Sequence, residues 1–351
     1  MEVKIALIGC GTVARGLLEI LDRKSEHLRA AFDFEPKLVA ISDLLKGSIL
    51  VPDGIEIKKL FDLLDGGGRI DQYYGEGNTA ELLNPLDMIE QCDADIIAEL
   101  TYTDIKTGEP ATSYIKKALR SGMHVVTSNK GPAALHYHEI RRLADQNNLF
   151  FRIEGTVMSG TPVFSLFESG LSGNEIREIK GILNGTTNFV LTKMEQDNMD
   201  YGEALKLAQQ LGYAEADPAA DVEGFDAAGK VVILSNVLLG GEIAPDDVRR
   251  EGITAITRDQ VLAAKERGFR YKLIAYTRKV KGKIEAGVSP QQLPLTDPLA
   301  GIMGAQNALT FDLDLMGKVT IQGAGAGKTE TGYSILADML AIHRHMRGVK
   351  S

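Results

Sequence analysis

The sequence predicts an α/β protein, in which a doubly wound parallel sheet is followed by an α+β domain with a mostly antiparallel sheet. Three observations point there. Short apolar runs alternate with amphipathic stretches over residues 1–153. A glycine-rich turn, GCGTVARG, follows the first of these runs. Past Gly155 the alternation gives way to longer apolar helices and a hairpin pattern.

In the first part, KIALI, LVAIS, DIIAEL, HVVTS and LFFRI are the strand candidates, and amphipathic segments such as TSYIKKALRSG lie between them. Strands alternating with helices are the pattern of βαβ units, which build a parallel sheet. Ser48 to Gly77, ending in DGGGRIDQYYGEG, is polar and glycine-rich and reads as a surface loop with a short helix. In the second part EIKGIL, YKLIAYT and KIEAGV read as strands, and ALTFDLDLMGKVTIQG as a hairpin turning at Asp314 to Gly317. The chain closes with GAGAGKTETG and an amphipathic helix, SILADMLAIHRHM, ending at Ser351. The expected domains are residues 1–153 with 325–351, and residues 154–324.

Composition narrows the function classes. With 44% hydrophobic and 25% charged residues among 351, the chain has enough apolar material for about two globular domains. Its net charge is −9 and no lysine–arginine cluster interleaves with aromatics, which argues against a nucleic-acid groove. Lys4 interrupts the first apolar run, so a secretory leader is not expected. No apolar stretch approaches the roughly 20 residues that span a bilayer. Cys10 and Cys92 are too few for a disulfide framework. The composition suits a cytoplasmic enzyme.

The turn after the first strand has a steric logic. The first glycine of such a loop permits the tight turn, the second lets a diphosphate approach backbone N–H groups, and the third lets helix and strand pack closely. Gly9 and Gly11 take the first two places and Ala14 the third, at the cost of one methyl group. Asp43 ends the second strand, where a carboxylate can accept hydrogen bonds from ribose hydroxyls, which favours NAD. Lys46 nearby can instead meet a 2′-phosphate, so NAD and NADP both stay open.

Three later stretches carry candidate chemistry. Lys130, in HVVTSNKGP, ends a strand on the side where doubly wound sheets bind ligands. In LGYAEADPAADVEGFDAAGKVVIL, Glu215, Asp217, Asp221, Glu223, Asp226 and Lys230 crowd together. A helix from Gly224 onward puts Asp226 and Lys230 one turn apart, and the apolar VVILSNVLL that follows buries that helix. In GILNGTTNF, Asn184, Gly185, Thr186 and Thr187 offer amide and hydroxyl donors in an apolar setting, and a helix N-cap at the same time. The pairs His136/His138 and His343/His345 are spaced i,i+2 and read as surface residues.

Taken together, GCGTVA, VVTSNK, GTVMSGTPV, GILNGTTNFVL, AEADPAADVEGFDAAGK and GAGAGKTETG resemble homoserine dehydrogenase, in family order over nearly the whole chain. The resemblance implies a Rossmann domain and a catalytic and dimerisation domain. It also implies NAD(P)-dependent interconversion of L-homoserine and L-aspartate 4-semialdehyde, on the route to threonine, methionine and isoleucine, by a homodimer. By resemblance, Gly9, Thr12 and Val13 meet the diphosphate; Thr101 and Lys130 lie by the nicotinamide ribose; Gly327 returns to the cofactor. Glu215 and Asp226 bind the substrate ammonium, and Lys230 sits on the hydroxyl side. Asp221 belongs with the substrate groups, and Asn184 and Thr186 face the carboxylate. The EGTVMSGTPV segment holds a monovalent cation, commonly sodium, in that family; Glu154, Val157, Ser159 and Thr161 are the corresponding ligands here, although a hinge without metal explains the segment equally well.

Oxidising an alcohol needs a group to take the hydroxyl proton, and reducing the aldehyde needs a donor at the same oxygen. A lysine serves both directions when burial or a second ammonium lowers its pKa. Lys230 is the first choice and Lys130 the second. Aspartate-semialdehyde dehydrogenase would need a thiolate, and neither cysteine suits: Cys10 sits in the glycine loop and Cys92 in acidic QCDAD. A non-catalytic dinucleotide sensor would need only the first domain. No regulatory amino-acid-binding domain or kinase fusion is expected after Ser351.

Overall fold

The computed structural model describes residues 1–74 and 83–348. It divides into two compact units, residues 1–160 with the closing segment from 327, and residues 161–326, against the expected divisions after 153 and 324.

Unit 1 is built on a six-stranded sheet of β1 (Glu2–Ile8), β2 (Glu35–Asp43), β3 (Gly47–Leu50), β4 (Ile96–Glu99), β5 (His124–Thr127) and β6 (Phe151–Arg152), in the order β3-β2-β1-β4-β5-β6. All neighbours are parallel except β3, which pairs antiparallel with β2. The chain therefore runs outward from β1 to one edge and then restarts on the other side at β4. That reversal opens a crevice at the carboxyl ends of β1 and β4, where open α/β sheets bind ligands. β1 reads as an apolar run because both faces are covered, as parallel sheets require; Ile5, Ala6, Leu7 and Ile8 are fully buried.

The helix Thr12–Phe32 packs Leu17, Leu18 and Leu21 onto this sheet, and the closing helix Lys328–Met346 adds Ile335, Met339 and Ile342 to the same core. Two glycines allow these helices to meet. A Cβ on Gly16 would stand 2.1 Å from the Lys328 carbonyl oxygen, and one on Gly332 2.5 Å from the Leu17 nitrogen. The closing helix thus begins at Lys328, six residues before the expected Ser334, because KTETG supplies its first turns. Its fully buried Asp338 accepts from Arg152 Nε and from the Glu154 N–H, each at 2.8 Å, and fastens the helix to the end of β6.

Two sequence expectations change. Part of Ser48 to Gly77 is not loop: Gly47–Leu50 adds an edge strand, and Ile57–Asp65 and Ile70–Gln72 are helical; Gly75 to Gly77 lie outside the described residues, as does Ser351. His343 is buried rather than on the surface; its ring meets Phe34 edge-on, and Nε2 lies 3.2 Å from the Phe32 carbonyl oxygen. His136, His138 and His345 are not buried.

Unit 2 carries β7 (Ile176–Ile182), β8 (Arg249–Arg250), β9 (Phe269–Val280), β10 (Lys283–Pro294), β11 (Gln306–Leu313) and β12 (Gly317–Ala324), in the order β12-β11-β7-β9-β10-β8. Only the β10·β8 pair is parallel. The hairpin β11–β12 closes between Leu313 and Gly317, where a turn was expected. Ile182, Ile274, Leu293, Leu299 and Ile302 pack together beside it.

One buried cation stands close to that core. Lys272 of β9 is 1% exposed; its Nζ donates to Asn188 Oδ1 at 2.8 Å and to the Ile302 carbonyl. Burial pulls its pKa from 10.5 down to about 8, against the pull of Glu195. The native state therefore holds fewer protons than the unfolded chain between these two values, so stability rises with pH through that window, by about 3 kcal/mol in the limit. Urea unfolding from pH 7.5 to 10.5 should show this rise and Lys272→Gln should flatten it; parallel curves for the two proteins would contradict the assignment.

Candidate active site

Each unit carries a polar cluster of its own. In unit 1 the chain leaves β1 at Ile8 and turns at Gly9, whose φ is +96°. A Cβ there would stand 2.5 Å from the Leu100 carbonyl oxygen, so conformation and space both demand glycine. Gly11 precedes the 21-residue helix Thr12–Phe32 without any side-chain cap, and the place where its Cβ would stand is open. Thr12 is exposed and Val13 half-buried in the first turn, while Ala14 is fully buried at the third position of the fingerprint. The open cradle and the uncapped N–H groups at the positive end of a long helix fit a dinucleotide diphosphate.

Asp43 braces this turn. Its Oδ2 accepts the Cys10 N–H at 2.8 Å, and Oδ1 accepts the Leu45 and Lys46 N–H groups at 3.0 and 3.1 Å. Lys46 bends back so that Nζ donates to the Cys10 carbonyl. Both side chains considered for cofactor choice thus also fix the glycine loop.

The ends of β4 and β5 hold a second polar group. Glu99, entirely buried, accepts the Thr101 N–H at 2.9 Å and the Thr101 hydroxyl on Oε1, while its Oε2 lies 3.0 Å from the Thr127 hydroxyl. Burial pushes the Glu99 carboxyl up, and the bonds from Thr101, Thr127 and Asn129 oppose this. Asn129 caps the helix that starts at Lys130 by accepting the Gly131 N–H, and its Nδ2 donates to the Tyr102 carbonyl at 3.1 Å. Lys130 is half-buried at that helix start. Gly327 immediately precedes the closing helix. Cys92 is buried and its thiol is pushed up to about 11, chiefly by burial rather than by its acidic neighbours.

Glu154, Val157 and Ser159, considered for a cation, are buried in unit 1 around the short turn Gly155–Met158; the Ser159 hydroxyl lies 2.7 Å from that of Thr331. Thr161 belongs to unit 2, with its hydroxyl 3.3 Å from the Ala324 carbonyl oxygen. No group of three or more His, Cys, Asp or Glu suited to a metal occurs among the described residues.

In unit 2 the strand β7 delivers Leu183 and Asn184 to the start of the helix Gly185–Gln196. Asn184 uses both ends of its amide: Oδ1 accepts the Thr187 N–H at 2.9 Å, and Nδ2 donates to Asp221 Oδ1 at 2.6 Å and Asp226 Oδ2 at 3.0 Å. The Thr186 hydroxyl is 3.1 Å from Asp221 Oδ2. Lys230, one turn along the apolar helix Phe225–Leu238, donates to Asp226 Oδ2 at 2.8 Å and to the Leu183 carbonyl at 2.6 Å, and is 7% exposed. Burial and the neighbouring Asp226 push the Asp221 carboxyl up, against bonds from Asn184 and Thr186. Asn184, Thr186, Asp221, Asp226 and Lys230 therefore form one cluster. Glu215 is not in hydrogen-bond contact with it: the residue is exposed, and only its backbone carbonyl is engaged, by Gln209.

Comparison with known proteins places this arrangement. The family model for homoserine dehydrogenase matches residues 162–340, and that for the homoserine dehydrogenase NAD binding domain matches residues 9–154. The chain belongs to the homoserine dehydrogenase family. It is 45% identical over 344 residues to the NAD(+)-dependent homoserine dehydrogenase of Pseudomonas canavaninivorans, covering 98% of this chain and 97% of that protein. It is 38% identical to the homoserine dehydrogenase of Methanocaldococcus jannaschii, covering 97% of this chain and 98% of that one. A hyperthermophilic archaeal homoserine dehydrogenase mutant in complex with NADPH superposes with a TM-score of 0.82 at 30% identity, covering 97% of this chain and 98% of that one. Homoserine dehydrogenases are NAD(P)-linked oxidoreductases, and this chain carries their nucleotide-binding and catalytic parts.

The sequence assigns no role to Glu99, or to Thr127 and Asn129 within VVTSNK. A carboxylate inside the apolar run DIIAEL, followed by the hydroxyl-rich TYT, was the available signal.

Proposed function

We propose that this chain interconverts L-homoserine and L-aspartate 4-semialdehyde with NAD or NADP, using the unit 2 cluster to hold the substrate and move the hydroxyl proton. The observation that carries the reading is Lys230 beside Asp226, Asn184 and Asp221 on a helix otherwise buried in apolar residues. The substrate's ammonium fits against the paired carboxylates of Asp221 and Asp226, with Glu215 as a further acceptor from the exposed segment. Its carboxylate fits the start of the helix Gly185–Gln196, near Asn184 and Thr186, where first-turn N–H groups and the helix dipole favour an anion.

Lys230, paired with Asp226, is set up to donate a proton to the aldehyde oxygen. In the opposite direction the substrate ammonium competes with Lys230 for Asp226, which helps the lysine accept the hydroxyl proton. Gly9, Gly11, Thr12 and Val13 hold the cofactor diphosphate, Asp43 meets the adenosine ribose, and Thr101, Lys130 and Gly327 serve the nicotinamide end. Bound NAD(P)+ supplies the hydride acceptor, and its reduced form the donor. Glu154, Val157, Ser159 and Thr161 remain assigned to a monovalent cation. We further infer a cytoplasmic homodimer, whose association covers the partly exposed edge strand β12. No helix among the described residues is long and apolar enough to cross a membrane.

Three outcomes are expected. Folded protein given L-homoserine should reduce NAD or NADP, read as absorbance of the reduced cofactor; no signal with either overturns the function. Lys230→Ala should lower kcat by about 10² to 10⁴ with cofactor affinity nearly unchanged, as for loss of a proton-transfer group; undiminished turnover removes that role. Asp43→Ala should raise the KM for NAD by roughly 10-fold, the scale of one or two lost hydrogen bonds, and that for NADP by less; equal KM values for wild type and variant would contradict its ribose contact.

A further inference from the structure

We propose that Glu99 is a positioning residue for cofactor binding: it fixes the Thr101 hydroxyl as a hydrogen-bond acceptor toward the nicotinamide riboside and ties together the two loops that follow β4 and β5. The proposal rests on the reading of this sheet edge as the nicotinamide end.

A threonine hydroxyl has one proton and two lone pairs. At Thr101 that proton is directed at Glu99 Oε1, the same oxygen that receives the Thr101 N–H. What the half-buried Thr101 hydroxyl presents elsewhere is therefore lone pairs. Its partner must be a donor: a ribose hydroxyl qualifies, and a phosphate or carbonyl oxygen does not. Of the donors on a nicotinamide riboside, the ribose hydroxyl is the one we assign, and the carboxamide NH2 is the other source of the same chemistry.

Glu99 also reaches the neighbouring loop. The Thr127 hydroxyl lies 2.8 Å from the Glu99 carbonyl oxygen and 3.0 Å from Oε2, and receives the Asn129 N–H at 2.9 Å. Asn129 in turn holds the carbonyl of Tyr102 and caps the helix of Lys130. One buried carboxylate thus links Thr101 to the loop that presents Lys130, through a closed set of bonds within unit 1. Because Glu99 has no exposed surface, it acts through these residues and not by touching the cofactor.

The test is calorimetric titration of NAD+ and NADP+ into the full-length wild-type protein and three variants, with steady-state kinetics alongside. Thr101→Val should weaken cofactor binding about 10-fold, the scale of one lost hydrogen bond, while Thr101→Ser stays within about 3-fold of wild type. Glu99→Gln should weaken it about 10-fold or more, with the homoserine KM at saturating cofactor unchanged, a split that a merely structural role would not produce. Should Glu99→Gln not fold, the Thr101 pair still decides. Wild-type affinity in Thr101→Val, or in folded Glu99→Gln, overturns the proposal. The 3-acetylpyridine analogue of NAD+ lacks the amide donor, so an equal loss with it in Thr101→Val supports the ribose hydroxyl, and no loss overturns that assignment. A wild-type chain that binds neither NAD+ nor NADP+ overturns the nicotinamide reading and this proposal with it.

Discussion

The polar cluster of unit 2 depends on the side chain of Asn184. One end of its amide closes the first turn of the helix Gly185–Gln196, and the other is divided between Asp221 and Asp226. Two carboxylates this close repel each other, and burial adds to the cost of their charge. A neutral double donor between them eases both without neutralising either. Lys230 then approaches Asp226 from the same helix, with the Leu183 carbonyl holding its other side. Two carboxylates and a buried lysine are thus held together by one asparagine's position at the end of one strand.

Unit 1 follows the same rule with different residues. Its glycines clear space, and buried or half-buried acids hold the space in shape. Asp43 takes the Cys10 N–H and so fixes the glycine turn; Glu99 takes the N–H and hydroxyl of Thr101 and the hydroxyl of Thr127. In each place the carboxylate satisfies backbone or hydroxyl donors that would otherwise be orphaned at a strand end. The loops at these strand ends are therefore braced from inside the protein, and a loop held in place this way needs less ordering on binding.

Much of this was legible in the sequence, and for identifiable reasons. GCGTVARG, NGTT and DVEGFDAAGK each break an apolar pattern with residue types whose chemistry is specific, so Gly9, Asn184, Asp226 and Lys230 stand out without coordinates. The parallel pairing of β1 with β2 and β4 and the Asp226–Lys230 spacing follow from the βαβ pattern and helical geometry. What sequence could not supply was depth. Glu99 in DIIAEL and Lys272 in YKLIAYT each interrupt an apolar run, but only three-dimensional packing shows both to be buried. His343 failed in the same way, since an i,i+2 pair on an amphipathic helix cannot reveal that another segment, here Phe34, covers one member. Glu215 differs from these: its proposed role comes from family resemblance, and its side chain is exposed.

Asn184 is expected to organise substrate binding without serving the cofactor, and Asn184→Ala separates the two most directly. Steady-state kinetics with L-homoserine and calorimetric titration with the cofactor should show kcat/KM for homoserine falling by about 10²-fold, from two lost charge-assisted bonds and a lost cap, while cofactor affinity stays unchanged. A folded Asn184→Ala protein with wild-type kcat/KM for homoserine, or one that loses cofactor affinity in the same proportion, would contradict it.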